Sequence, residues 1–220
     1  MPSPFALKVE AIVDTICPWC YIGKKRLEEA LKREGLEGFP VVWRPFLLNP
    51  DMPAGGMDRH LYLSTKFGGS ESASRVYNAI AAAGAGIGIS FNFNSIRLTP
   101  DSTDSHRMIY KICAERPETG NDLIEDLFAA YFLNGQDIGD HDLLAEIAVR
   151  HGADRAEILD YLDSDMDREF VMRENRTAHQ LGVSGVPCFL FNGRHALSGA
   201  QEPDILQRMI RLARQEDALP

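Results

Sequence analysis

Apolar side chains alternate at Leu7, Val9, Ala11 and Val13, with Ile12 added, the pattern of a strand covered on both faces. The period then changes. Leu27, Ala30 and Leu31 recur at helical spacing, and Glu28 is placed to pair with Lys32 one turn on. Between strand and helix stands Asp14-Thr15-Ile16-Cys17-Pro18-Trp19-Cys20-Tyr21. Gly35, Gly38 and Pro40 lead to a second strand over 41–46, and two strands joined by a crossover helix pair in parallel with a right-handed connection. From Asn49 onward the pattern is loops and helices, with no strand expected before Cys188. Helices are expected over 59–67 and 72–83, the second ended by Gly84, Gly86 and Gly88, followed by an extended loop over 89–98. Thr99 as hydroxyl cap, Pro100 at the first position and Asp101 in the first turn start a helix running to about residue 116. Leu123, Ile124, Leu127, Phe128 and Tyr131 form one helical stripe; Asp140 caps a helix carrying Leu143, Leu144, Ile147 and Ala148; helices over 156–162 and 166–181 complete the block. Strand character returns over 188–191, Asn192-Gly193 reads as a hairpin turn into a short strand at 196–197, and Pro203 opens a helix with Ile205, Leu206, Met209, Ile210 and Ala213 inward. The strand-forming ends of the chain must pair with each other for either to have a core.

The two cysteines thus lie at a strand-to-helix junction. With Cys17 as N-cap, Pro18 takes the first helical position, where its fixed φ fits and its missing N–H is no loss. The N–H groups of Trp19 and Cys20 are then expected to point back at the Cys17 sulfur. A helix terminus contributes about 0.3–1 kcal/mol to an anion, against about 1.4–7 kcal/mol needed to bring a thiol from about 8.5 into the range of about 3.5–7.5, so direct N–H···S bonds would have to add to the dipole. Cys20 lies within disulfide reach but lacks the cap position. Cys17 is therefore the expected nucleophile and Cys20 the resolving thiol.

Composition narrows the setting. The chain of 220 residues carries a formal charge of -9, which excludes the basic patches of nucleic-acid or anionic-membrane binders. No secretory leader and no long apolar run is legible, so the expected address is the cytoplasm, where four cysteines do not make a disulfide framework. Half of a zinc site is the alternative for Cys17 and Cys20, but Cys113 and Cys188 each lack a partner at metal spacing, so no metal is expected. Cys113, beside Ile109 and Ile112, and Cys188, in Cys188-Phe189-Leu190-Phe191, read as core residues. Trp19, between the cysteines at a helix start, reads as an exposed substrate contact.

Cys-Pro-Trp-Cys-Tyr-Ile-Gly near one end, a helical insertion, and Gly-Val-Ser-Gly-Val-Pro before a late hairpin together resemble the DsbA-like thioredoxin superfamily, most closely its FrnE branch. The resemblance implies an α/β thioredoxin fold with a large all-helical insertion. The thioredoxin-like domain would be discontinuous, 1–50 and 180–220, around a helical domain over 51–179. It implies a redox-active Cys17/Cys20 pair facing a cis Val186–Pro187 bond, with Pro18, Trp19 and Val186 meeting an extended substrate. His106 and Arg107 carry over from a family pattern that this chain departs from at Asp101 and Ser105; His106 reads equally as a surface or cap residue and as a site residue. Ser198 and Gln201, ahead of the last helix, would hold a glutathione carboxylate. The implied activity is thiol-disulfide exchange of the protein disulfide oxidase or isomerase type on a protein or small-molecule substrate. No cofactor is needed, glutathione is admitted as co-substrate, and glutathione or the thioredoxin system is the redox partner; monomer and homodimer both fit. Glutathione-dependent transferases and isomerases of the kappa and 2-hydroxychromene-2-carboxylate types share this architecture but carry serine where Cys17 stands. A holdase-like binding module is the non-enzymatic alternative.

Overall fold

The computed structural model describes residues 7–216; the outermost limits of the discontinuous domain, 1–6 and 217–220, lie outside the described residues. Strand β1 (Val9–Val13), helix α1 (Pro18–Arg33) and strand β2 (Val41–Pro45) form the first unit, and β1 and β2 pair in parallel with Val9 opposite Val41. All five β1 residues are buried. Glu10 tolerates this because Lys8 and Arg44 lie 3.2 and 3.6 Å from its carboxylate.

A two-residue strand β3 (Met57–Asp58) leads into α2 (Arg59–Phe67) and α3 (Ser70–Ala85). Strand β4 (Leu98–Thr99) returns to pair with β3, and α4 (Thr103–Glu115), α5 (Gly120–Phe132), α6 (His141–Arg150), α7 (Arg155–Asp163) and α8 (Arg168–Gln180) follow. Strands β5 (Cys188–Phe191) and β6 (His195–Ser198) and helix α9 (Pro203–Glu216) close the chain. The sheet order is β2-β1-β5-β6, with β1–β5 and β5–β6 antiparallel, so the two ends of the chain do complete one sheet. Asn192 and Gly193 both adopt positive φ in the hairpin turn, as a type I′ geometry requires. The Asn192 side chain accepts from the Lys8 N–H and donates to the Ala213 carbonyl, fixing the hairpin against its neighbours.

Helices α1 and α9 cover one sheet face, with Leu27, Ala30, Leu31, Leu206, Ile210 and Ala213 in one apolar cluster with Ala11, Val13, Phe189 and Phe191. The α8 residue Ala178 joins Val183, Ile12, Phe46 and Cys188 in a second cluster. The larger cluster continues through Tyr21, stacked on Phe128 at 5.1 Å, into Leu123, Leu127, Phe132, Met108 and Ile147 of the helical layer.

The structure corrects several expectations. Glu28 pairs backward with the buried Lys24 at 2.5 Å, not with Lys32, because Lys24 is enclosed and needs both Glu28 and Glu125. Thr99 belongs to β4 and α4 starts at Thr103, where Asp101 accepts from the Thr103 N–H; Pro100 is outside the helix. Helix α3 ends within the expected glycine run, at Ala85 with Gly86 as its cap, so Gly84 lies inside it, where the Phe91 ring leaves no room for a side chain. Ile205 is exposed, since Leu206 and Ile210 set the buried stripe of α9.

Candidate active site at Cys17 and Cys20

Cys17 is the N-cap of α1 and Pro18 its first residue, as the sequence predicts. The Cys17 N–H donates to the Asp14 carbonyl at 3.0 Å and the Cys20 N–H to the Cys17 carbonyl at 3.0 Å, which sets the turn. The sulfur, however, takes no hydrogen bond from the backbone N–H groups of the helix. It points across to the Val186 carbonyl at 3.7 Å, because the Cys20 N–H is engaged by the Cys17 backbone oxygen. Val186–Pro187 is a cis peptide bond, so the proline loop faces the helix start.

Cys20 is fully enclosed, Cys17 is 5% exposed, and Trp19 between them is 36% exposed. Burial pushes the Cys20 thiol well above its ordinary value, and its hydrogen bond to Cys17 and the Cys17 charge push it further. Cys20 therefore holds its proton while Cys17 stands at the mouth of the site. Gly23, one turn along α1, has no room for a side chain: a Cβ would come within 2.7 Å of Pro187 Cγ and 3.1 Å of Phe189 Cζ.

Beneath the junction lies a carboxylate that sequence reasoning did not single out. Asp14 is fully buried and accepts from the Ile16 N–H at 3.2 Å and the Leu48 N–H at 2.7 Å. His106 is neither surface nor cap: it is buried, with Nε2 3.8 Å from Asp14 Oδ1 and no hydrogen-bond partner on that nitrogen among the described residues. Thr15 and Ser105 share a hydroxyl–hydroxyl bond at 2.8 Å, which ties α4 to the junction. Beside Asp14, Lys66 Nζ donates to Tyr62 Oη at 2.7 Å and to Asn49 Oδ1 at 3.2 Å. These three groups line a cavity of about 370 Å³ with Leu48, Pro50 and Met57. Burial pushes Tyr62 up to about 12, opposed by its bond to Asn49 and aided by the charges of Asp14 and Cys17. Burial lowers Lys66, against the upward pull of the Asp14 and Cys17 charges. The signal for this group was positional: Asp14 and Asn49 follow the carboxyl ends of two parallel strands, where open α/β sheets hold ligands.

The other sequence-predicted residues are placed differently. Ser198 donates to Cys188 Sγ at 3.9 Å, and the Gln201 amide donates to the Ser198 carbonyl at 2.8 Å, so both side chains already have partners within the chain. The backbone there does reach the site, since the Gly199 N–H donates to the Pro187 carbonyl at 2.7 Å. Cys188 sits in the second cluster, apart from Cys17, its thiol pushed up by burial. Cys113 is only half-buried, not core; burial holds its thiol at about 11. Arg107 is enclosed in the helical layer and donates to four backbone carbonyls and Asp104. Among the described residues no group of three or more His, Cys, Asp or Glu is arranged to hold a metal ion, and no helix is long and apolar enough to cross a membrane.

Known proteins share this fold. The profile of the DSBA-like thioredoxin domain matches residues 8–211. The uncharacterized protein YwbO of Bacillus subtilis (strain 168) is 25% identical over 203 residues, 92% of this chain and 94% of that one. Among solved structures, SCO1869 of Streptomyces coelicolor, a probable DsbA oxidoreductase, superimposes with a TM-score of 0.82 at 29% identity, over 96% of this chain and 91% of that one. The cytosolic disulfide reductase DsbM of Pseudomonas aeruginosa, with GSH, gives a TM-score of 0.64 at 19% identity, over 94% and 99% of the two chains. A 2-hydroxychromene-2-carboxylate isomerase also gives 0.64, at 18% identity over 96% and 98%; these last two likenesses are of fold. The family character is that of an oxidoreductase-type enzyme. Sheet, helical layer and dithiol junction all fall within the matched span, and the chain belongs to the DSBA-like thioredoxin domain family.

Proposed function

We propose that this protein is a thiol-disulfide oxidoreductase working through Cys17 and Cys20. The Cys17 thiolate attacks a substrate disulfide, one substrate sulfur leaves as a thiolate, and a mixed disulfide forms. Cys20 gives up its proton and attacks the Cys17 sulfur, releasing the second substrate thiolate. Two electrons have then passed to the substrate, and Cys17–Cys20 is the disulfide; oxidation of a substrate dithiol runs the same steps backward. No cofactor beyond the thiols enters.

The observation that carries this reading is the inequality of the two sulfurs. Cys20 is enclosed, and burial together with the neighbouring Cys17 holds its thiol protonated, while Cys17 stands at the helix start opposite the Val186 carbonyl. Trp19 and the Val186 backbone supply the surface for an extended substrate. A small-molecule or protein thiol serves equally as substrate, glutathione or the thioredoxin system as redox partner, and the cytoplasm as the setting. The fold likeness to DsbM, whose structure holds GSH, supports glutathione as a partner.

A glutathione redox-buffer titration read by thiol trapping and intact mass tests this. One internal disulfide between Cys17 and Cys20 is expected, absent in Cys17→Ser and Cys20→Ser. A midpoint well above about -230 mV makes the protein an oxidase or isomerase, and one near about -270 mV a reductase. No internal disulfide at any poise, with a stable glutathione complex instead, overturns the reading in favour of transferase or isomerase chemistry.

A further inference from the structure

Arg59, the first residue of α2, is 4% exposed. A guanidinium has five N–H donors. Three of Arg59's are accounted for by neutral oxygens: Nη1 donates to Thr99 Oγ1 at 3.0 Å and to Tyr131 Oη at 3.2 Å, and Nη2 donates to Tyr77 Oη at 2.6 Å. Nε has no acceptor. Among the described residues no carboxylate lies within 4.0 Å of the group, and the neighbouring Asp58 carboxylate is turned to the Leu61 N–H as the cap of α2. The rings of Tyr62, Tyr77 and Tyr131 surround the charge at 5.1 to 5.9 Å. A buried cation held only by phenols and a hydroxyl is a charge without its counter-charge.

Arg59 and Tyr77 also line a cavity of about 470 Å³ between α2, α3 and the segment 91–96. That volume lies within the range of small-molecule sites, about 300–1,000 Å³. Its walls combine Ser74 and Asn78 with aromatic rings: Phe91 and Phe93 are stacked at 4.7 Å, and Tyr77 meets Phe93 edge-on at 4.7 Å. We propose that this cavity binds an aromatic carboxylate, with Arg59 as its charge partner and the aromatic wall receiving its flat ring. The planar guanidinium matches a carboxylate in shape, and one negative charge balances one positive. A phosphate group, at about -1.5 to -2, would leave charge over beside a single arginine.

The site is independent of the redox reading but joined to its surroundings through Tyr62, whose ring lies 5.7 Å from the Arg59 guanidinium and whose hydroxyl accepts from Lys66 at 2.7 Å. Burial pushes Tyr77 up to about 12, opposed by Arg59.

Calorimetric titration with phenylacetate, its neutral twin phenylacetamide and inorganic phosphate tests the assignment. One phenylacetate is expected to bind per chain, at least about tenfold tighter than the amide. Arg59→Met removes the difference between acid and amide. Ser74→Phe, which fills the cavity and leaves Arg59 in place, weakens both, so the result is readable even where Arg59→Met does not fold. Equal binding of acid and amide, no phenylacetate binding up to about 10 mM, phosphate binding without carboxylate binding, or an affinity unchanged in folded Arg59→Met overturns the proposal.

Discussion

Arg107 and Arg59 are both guanidinium groups enclosed in the helical layer, but their surroundings differ in kind. Arg107 has an acceptor for each of its five donors: Nε meets the Met166 carbonyl, Nη1 the Asp104 carboxylate and Leu162 carbonyl, and Nη2 the carbonyls of Tyr161 and Ser164. It thereby satisfies the carbonyls at the end of α7 and the turn into α8, and joins them to α4. Among the described residues Arg59 meets three hydroxyl groups and no anion. The first arrangement is complete within the chain, while the second leaves charge and donor capacity for a molecule the chain does not supply. Burial of a charge alone does not separate structural from ligand-facing roles; the accounting of its partners does.

Replacing each arginine with methionine, an apolar side chain of similar reach, breaks the comparison most directly. Arg107→Met takes one cation from Asp104 and the guanidinium donors from the Met166, Leu162, Ser164 and Tyr161 carbonyls, and is expected to cost about 3–5 kcal/mol in urea unfolding. A cost below about 1 kcal/mol would mean that water replaces those contacts freely. Arg59→Met removes a buried charge that lacks an anion, and its stability should stay within about 1 kcal/mol of the parent. A loss as large as that of Arg107→Met would erase the distinction between the two sites.

The smallest effect sharpens the Arg107 side. His141 lies between Asp163 at 2.9 Å and Asp104 at 3.1 Å. Burial pulls its pKa down, but the bonds to Asp104 and Asp163 more than offset this and hold it above the ordinary value. A folded-state value above the unfolded one stabilises the fold fully below the unfolded pKa, about 6.5, and the contribution disappears as pH rises through the raised folded value. His141→Gln should therefore be less stable than the parent at pH 6 by about 0.5 kcal/mol, and the two should converge at pH 9. A gap that is constant with pH would assign the effect to packing.

What was legible in the sequence was local or periodic. The Cys17 cap with Pro18 behind it, the Asn192-Gly193 turn and the stripe of α5 are each set by neighbouring residues, and each is where it was expected. Pairing of the two chain ends followed because neither end could bury its apolar residues alone. What was not legible depends on contacts distant in sequence. The direction of the Cys17 sulfur is set by Val186, 169 residues away, and the place of His106 by Asp14. The burial of Lys24 depends on Glu125 of α5, about a hundred residues away in sequence, being brought to it. Strands β3 and β4 are two residues each, too short for any period to register.

Gly23 bears on how this site can change over time. Its missing side chain sets the spacing between the dithiol helix and the proline loop, since anything larger would enter the volume of Pro187 and Phe189. In a saturation library, position 23 should accept almost nothing, whereas the exposed Trp19 is free to vary with the substrate. New specificities can therefore arise around the dithiol by exchanging the rim, while the gap beneath it descends unaltered.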